Sequence, residues 1–420
     1  MKKLKYRVFK LAFFIFIKKV FLINYSNFKD VVYFEQIKSI PKTIWEELNC
    51  TNLYFSPSYL DAIEKNNSHL SFFYIVLKDP QQKAIAFANI QIINFHLETI
   101  EKDTSNVFKK ITSIGRRLSI IPKEKPLKII NCGNSFVSGE HGVFIKEGEN
   151  KRLILRKISK RILHHTEKNN QENPIDIFMM KDFMAESLPI TNELISLGYY
   201  SFNVEPNMKL KIDKNWQNFD QYLAALKTKF RVKAKKAMEL SSSLSVEDVD
   251  SKNIDNQLQK MTELYQRVAS KAEFNLGEFK LATYRDLKEN LGNNYIIKTY
   301  WLQDKMVGFL SGMIRGHELD AHFVGIDYTL NKSHAIYQRM LYDYIDIAIK
   351  QKLSTLNFGR TASEIKSSVG AVPQHLTVYI RHKKSIRNKF LKLFLLKIQP
   401  TEFKQKLPFK TDKKIHEDNK

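Results

Sequence analysis

Hydrophobic and polar positions along the chain switch repeatedly between a helical period and a strand period. Residues 57–67 keep apolar side chains at helical spacing behind Ser56, a capping residue type, with Pro57 at the first helical position. Residues 71–78 (SFFYIVLK) and 84–95 (AIAFANIQIINF) are dense in β-branched and aromatic side chains and are separated by Asp79, Pro80 and Gln81, so they predict a hairpin. A basic excursion of helical character covers 105–117, and 126–132 returns as a strand entering a Gly-rich loop. Further on, 153–168 predicts a helix, 175–180 a buried strand, 185–197 a helix stopped by Gly198, and 201–211 a strand.

The same order then recurs. Helices are predicted across 219–240 and 256–269, followed by a meander of strands at 295–302, 306–315 and 318–325, broken at 303–305 and at Gly316 and His317. A helix over 334–351 and a strand over 355–358 close the series. No exact sequence repeat is visible, but helix, antiparallel meander, helix and strand occur twice, which predicts two related mixed α/β domains in tandem.

The chain has 420 residues, 43% hydrophobic and 12% aromatic, enough for large buried cores and two or three domains. Its two cysteines, Cys50 and Cys132, allow one bridge at most, and a reducing compartment fits best. Lys plus Arg exceed Asp plus Glu by 68 to 44, a net charge of +24, which calls for phospholipid, nucleic acid or an anionic cofactor as partner. The excess is concentrated. Residues 1–30 carry eight basic residues against Asp30 alone, and residues 374–420 carry thirteen against four acids. Lys227, Lys229, Arg231, Lys233, Lys235 and Lys236 form a third cluster, and the remaining body is nearly neutral.

In the first segment the apolar run from Leu11 to Ile17 is seven residues, whereas spanning a bilayer takes about 20. A secretory signal, the competing reading of its positive start, lacks a small-residue cleavage site here. The segment and the tail FLKLFLLKIQP at 390–400 therefore read as interfacial membrane contacts, with ordinary helices packed on the body as the alternative.

Three polar stretches are suited to chemistry. Residues 131–142 (NCGNSFVSGEHG) hold three glycines that let the backbone approach a ligand, and Glu140 beside His141 is a titratable pair suited to proton transfer; a structural loop is the alternative. Residues 357–370 (NFGRTASEIKSSVG) follow a buried strand, with Arg360 a fixed cation and Thr361, Ser363, Lys366 and Ser367 gathered at the strand end. Arg360 with Glu364 also has the spacing of a structural i,i+4 pair. In 320–328 (DAHFVGIDY), period two puts Asp320, His322 and Val324 on one face, and the helix start beyond can present N–H groups to a phosphate. His322 is either a base or a core histidine. Phosphate-loop, dinucleotide, Cys/His metal and nucleophile-elbow motifs are absent from the sequence.

The strings CGNxFxxGEHG at 132–142, KTKFRVKAKKA at 227–237, NFGRTASEIKSSVGA at 357–371 and PFK at 408–410 resemble a bacterial group of GNAT-like proteins, the acyl-CoA N-acyltransferase fold. The group is similar to Fem-type peptidoglycan aminoacyltransferases and to bacterial ceramide synthases. The resemblance implies an α/β fold of mixed α+β character: two tandem GNAT-like domains, each a mixed central sheet flanked by helices. The expected division is a membrane-contacting segment at 1–30, a first domain at 31–212, a second, donor-binding domain at 213–385 and a basic tail at 386–420. The implied donor is an acyl-CoA or acyl-carrier-protein thioester held in splayed parallel strands of the second domain, its phosphates over Ser333, His334 and Ala335, with no metal. Residues 328–335 lack the Gln/Arg-x-x-Gly-x-Gly/Ala loop of ordinary acetyltransferases, which puts acetyl-CoA in doubt and is compatible with a long-chain acyl thioester or an aminoacyl-tRNA.

N-acylation needs a base, because an ammonium is no nucleophile, and donors aimed at the oxyanion. Glu140 and His141 are the first candidates for the base and His322 the second. Asn134, Asp327, Arg360, Thr361, Glu364 and Lys366 are expected substrate contacts, Arg360 and Lys366 holding an anionic group. The expected function is transfer of a long-chain fatty acyl group to the amine of a lipid such as a sphingoid or sulfonated long-chain base. The expected place is the cytoplasm, peripheral on the inner face of the cytoplasmic membrane. Expected partners are an anionic membrane surface, the amine-bearing lipid and acyl carrier protein. Fem-type transfer to a peptidoglycan precursor is the second expectation, although no long heptad run predicts the helical arm frequent in that group. Nucleic-acid binding is the third, and Phe230 alone among the six basic residues is thin aromatic interleaving for it.

Overall fold

The computed structural model describes residues 30–95, 113, 116–117, 126–168, 175–271, 276–395 and 401–410. The 1–30 segment apart from Asp30, most of the 105–117 excursion and the end of the tail lie outside them. Among the described residues thirteen strands form one mixed sheet: β1 Val31–Phe34, β2 Ser71–Lys78, β3 Ala84–Phe95, β4 Leu127–Cys132, β5 Val143–Ile145, β6 Ile177–Phe183, β7 Tyr200–Lys211, β8 Ser245–Asp248, β9 Tyr295–Leu302, β10 Lys305–Arg315, β11 Glu318–Ile326, β12 Thr355–Asn357 and β13 Val372–His382. Their order is β1-β2-β3-β4-β6-β13-β7-β12-β11-β10-β9-β8, with β5 beside β3.

Each half builds an antiparallel meander and closes it with one parallel pair, β4 with β6 and β11 with β12. The doubled order read from the sequence is therefore present, but the halves share strands. β13 lies between β6 and β7 and pairs antiparallel with both, while β7 pairs with β12. A division at residue 212 thus leaves β7 among second-half strands. β13 escapes a reading by composition because residues 372–382 run directly into the basic tail.

Some helices differ from expectation. The 185–197 stretch, which contains Pro189, is three short turns, and 219–240 is two helices, Phe219–Ala225 and Thr228–Leu240, broken where Leu226 bridges to Phe409. The helix Ile336–Lys350 is preceded by a separate one, Tyr328–His334. Helix Thr283–Leu291 and the short helix Ser363–Ser368 were not expected from the sequence pattern.

One hydrophobic core bridges the halves. Helix Pro57–Asn66 of the first half and helices Ile254–Ala269 and Thr283–Leu291 of the second cover the same sheet face, over Tyr54, Tyr59, Ile129, Leu264, Phe279 and Phe309. On the other face each half keeps its own core, under Lys151–Lys168 and under Ile336–Lys350. Asn67 Nδ2 donates to Thr283 Oγ1 at 3.1 Å and Lys65 pairs with Asp286 at 2.5 Å across the bridging layer. Residues 401–410 return over the second half, where Lys227 N donates to Pro408 O at 2.8 Å. The Phe409 ring lies so close to Gly370 that a Cβ there would sit 2.4 Å from it. Among the described residues no helix is long and apolar enough to cross a membrane.

This shared sheet predicts the behaviour of a fragment. Residues 31–212 expressed alone lack β13, leaving the β6 and β7 edges bare, and should aggregate or show no cooperative melt by circular dichroism, whereas the full chain melts as one unit. A soluble fragment with a sharp transition would contradict the shared-strand account.

Candidate functional site

β11 and β12 pair in parallel over three positions only, from Glu318↔Thr355 to Asp320↔Asn357. β12 then ends, while β11 continues to Ile326 against β10, so the parallel pair opens beside Ala321. A β-bulge lies in this open stretch: Ser311 of β10 faces both His322 and Phe323, because the register moves between Gly312↔Ala321 and Leu310↔Val324. The bulge overturns the expected alternation. Asp320 and His322 face the core shared by the halves, and Val324 packs into the opposite one.

Asp320 is 2% exposed and fully engaged. Its Oδ2 accepts Tyr54 OH and Arg315 Nε, both at 2.7 Å, and its Oδ1 accepts Asn357 Nδ2 at 2.9 Å. Burial alone would raise its pKa, but the Arg315 charge and these hydrogen bonds hold it below the usual carboxylate range. Asp320 is therefore an ionised organiser, and Tyr54 brings the first half to it.

The loop at 133–142 faces this centre. Asn134 is buried with its side-chain amide and its carbonyl engaged: Nδ2 donates to Tyr59 OH at 2.8 Å, Oδ1 accepts Phe136 N and Val137 N, and its carbonyl accepts Lys181 Nζ at 2.6 Å. The His141 ring lies 4.3 Å from the Tyr54 ring, and its Nδ1 is buried without a partner. Only glycine fits at 139, where φ is +134° and a Cβ would lie 2.7 Å from His141 Nε2. Glu140 turns away, its Oε1 accepting Met184 N at 2.7 Å, so the expected Glu140–His141 pair does not face one site together.

His322 stands at the bulge against Phe279, Tyr284 and Phe323. Its Nε2 is buried without a partner, and Nδ1 is 3.5 Å from Tyr295 OH. Burial pushes His141 down to about 4 and His322 down to about 3, while the Asp320 charge opposes both shifts. Both imidazoles are neutral at pH 7.

A second ionic cluster joins the halves. Asp182, fully buried at the end of β6 with φ +70°, pairs with Lys181 at 2.9 Å and with the Arg360 guanidinium, and accepts Gly139 N at 3.3 Å. Arg360 thus does not form the i,i+4 pair with Glu364, which pairs instead with Lys406 at 2.6 Å. Arg360 Nε is buried without a partner. Lys366 Nζ donates to the carbonyls of Gly359 and Arg360, at 3.3 and 2.6 Å, and burial draws it down to about 7. Thr361 is exposed, with φ +66°. Tyr54 and Arg315 gave no sequence signal, but a charged Lys181-Asp182 pair inside the apolar run IFMMKDF was a readable one.

The expected phosphate cradle is already filled. Asp327 caps helix Tyr328–His334 through Thr329 N at 3.1 Å, with Lys305 at 2.8 Å and Arg267 at 3.4 Å. Burial raises its pKa, but the Lys305 and Thr329 hydrogen bonds outweigh this and hold it at about 2. Asn331 Oδ1 caps Tyr337 N of the next helix at 2.9 Å. Ser333 Oγ is bonded to Leu330 O and His334 Nδ1, and Ala335 is buried in a left-handed conformation. Cys50 and Cys132 are both free thiols. Among the described residues no cluster of three or more His, Cys, Asp or Glu could hold a metal ion.

No protein-family model matches the sequence, and no curated protein matches it. Solved structures do. A tandem GNAT protein from the clavulanic acid biosynthesis pathway is similar at TM-score 0.51 and 8% identity, over 84% of this chain and 99% of that one. FemX is similar at TM-score 0.48 and 12% identity, over 84% and 99%. L-PGS from Bacillus licheniformis is similar at 0.46 and 12%, over 85% and 95%. With its doubled meander and two parallel pairs, the chain has the tandem GNAT fold.

Two stability measurements follow. Asp182→Ala leaves Lys181 and Arg360 uncompensated and should cost about 3–5 kcal/mol in denaturant unfolding; a loss below about 1 kcal/mol would contradict the ionic tie. Acid should also destabilise the fold as pH falls below 6.5, because the unfolded histidines take protons that the folded His141 and His322 refuse until about 4 and 3. Urea titrations at several pH values should show this slope flattened in His141→Asn/His322→Asn.

Proposed function

We propose that the chain is an N-acyltransferase that moves a long-chain acyl group from a thioester to the amine of a membrane lipid. The observation that carries the reading is the opening of the β11–β12 pair directly beside Asp320 and the unpartnered His322 Nε2. In this reading the acyl thioester lies along the open edge of β11, and the amine meets its carbonyl at the bulge. The tandem GNAT protein of similar fold is described in a form without acetyl-CoA, wording that accords with a thioester donor.

The amine nitrogen attacks the carbonyl carbon, the C–N bond forms, and its proton passes to His322 Nε2. The imidazolium is stabilised by the Asp320 carboxylate two residues along the same face. Collapse of the tetrahedral intermediate breaks the C–S bond, and the thiolate leaves with the proton from His322, so the products are an amide and a thiol. His322 is neutral at pH 7 and so is able to accept a proton, and the Asp320 charge works against the burial that disfavours the imidazolium. Arg360, oriented by Asp182, offers its unpartnered Nε to an anionic group of the acceptor.

A lipid acceptor requires contact with a bilayer. Helix Ser385–Leu395 supports this: Ile386 is 73% exposed and Phe390 also faces solvent, with Arg387, Lys389 and Lys392 on the same short helix. We place the protein on the anionic, cytoplasmic face of the membrane.

Purified protein incubated with a palmitoyl thioester and long-chain amino alcohols in anionic vesicles should yield the N-acyl lipid by mass spectrometry. His322→Ala should lower the rate by about 10²–10⁴-fold under conditions where its melt shows the variant still folded. Failure to acylate any lipid amine, together with extension of a peptidoglycan precursor from aminoacyl-tRNA, would replace this reading with the Fem-type one.

A further inference from the structure

A coenzyme A ester brings a diphosphate and a third phosphate to the place where the donor leaves the parallel strands, and these need vacant N–H groups or cations. Here Asp327 occupies the first helix start and Asn331 the second, and Lys305 and Arg267 are paired with Asp327. The Asp327 carboxylate thus takes up the helix-start N–H and the cations that a diphosphate would otherwise engage.

Further exposed positive charge lies one layer out, on helix Thr228–Leu240. This helix buries only Ala234 and Ala237 and packs against Ile336–Lys350, next to the filled cradle. Through Lys233 the helix also comes near the Ser363–Ser368 helix that carries Lys366: Glu364 is held below its ordinary pKa by the Lys406 hydrogen bond and charge, with Lys233 and Lys404 adding to them. The helix therefore lies beside both the filled cradle and the helix that follows β12.

Lys229, Val232, Lys233, Lys236 and Leu240 recur at helical spacing on one exposed face, with Val232 59% and Leu240 39% exposed. Cations interleaved with bare apolar side chains match an acidic amphipathic helix of a protein. A nucleic acid backbone would leave Val232 and Leu240 without partners.

We propose that the acyl group arrives on an acidic carrier protein, as the thioester of a protein-bound phosphopantetheine, and that helix Thr228–Leu240 is the carrier's docking surface. The arm carries one phosphodiester and needs no diphosphate cradle. The chemistry rests on the acyltransfer reading, whereas the docking does not.

The test uses the full chain, the variant Lys229→Glu/Lys233→Glu/Lys236→Glu, and the milder Lys229→Ser/Lys233→Ser/Lys236→Ser in case the first fails to fold. Fluorescently labelled hexadecanoyl carrier protein is titrated by anisotropy at low salt and at about 0.5 M salt, and amide formation is compared with hexadecanoyl-CoA as donor. Expected results are carrier binding that is weakened by salt and about tenfold or more by the variants, with the carrier ester having the higher kcat/KM. The proposal is overturned if hexadecanoyl-CoA is the better donor, if the variants bind carrier as the wild type does, or if the lysines govern binding of bulk tRNA or phosphatidylglycerol vesicles and carrier does not bind. Lysine-dependent carrier binding with no amide from either donor would sink the acyltransfer reading and leave the docking surface standing. Amide formed from hexadecanoyl-CoA without carrier binding would do the reverse.

Discussion

The structure depends on making one buried carboxylate tolerable. Asp320 sits at the last paired position of β11 and β12, where a charge without partners would cost several kcal/mol. Its partners are divided between the halves: Tyr54 from the first, Arg315 and Asn357 from the second. The halves must therefore dock before the charge is satisfied, and docking assembles the place where the parallel strands part. Fold and site are coupled through this carboxylate, with the shared aromatic core around Tyr59, Phe279 and Tyr284 behind it.

The Lys181–Asp182–Arg360 cluster repeats the device on the other side of the junction. It ties the end of β6 to the loop leaving β12, and the left-handed residues Asp182, Thr361 and Ala362 concentrate at this crossing. Such conformations cost of order 1–3 kcal/mol each and persist where the surroundings over-determine them. His141 lies between the two clusters and His322 beside Asp320, neutral imidazoles each with a buried, unpartnered nitrogen. The junction thus combines fixed charges that orient with neutral groups that can take a proton.

Elements with a clean local period were legible in the sequence. The β2–β3 hairpin, the β9–β11 meander and helix Pro57–Asn66 under its Ser56 cap fall where the pattern of side chains put them. β13 was hidden because its partners β6 and β7 lie far back in the chain and its own run merges with basic residues. The bulge at His322 was hidden for another reason: one inserted residue leaves the local composition unchanged but moves Val324 to the other face. Arg360 was recognised as a fixed cation, but its true partner is 178 residues away, whereas Glu364 lay at the deceptive spacing. Charges inside apolar strands, Asp182 and Asp320, were the informative signal, because burial forces such residues to find partners.

The central claim is that the site exists only where the two halves meet on Asp320. A double-mutant cycle of Tyr54→Phe and Asp320→Asn, read in kcat/KM for amide formation, tests it most directly. Coupling predicts that the double variant is little worse than the worse single one, an interaction energy of about 1–3 kcal/mol. Losses that simply add, within about 0.3–0.5 kcal/mol, would show that Tyr54 and Asp320 act independently and would contradict a site built across the junction.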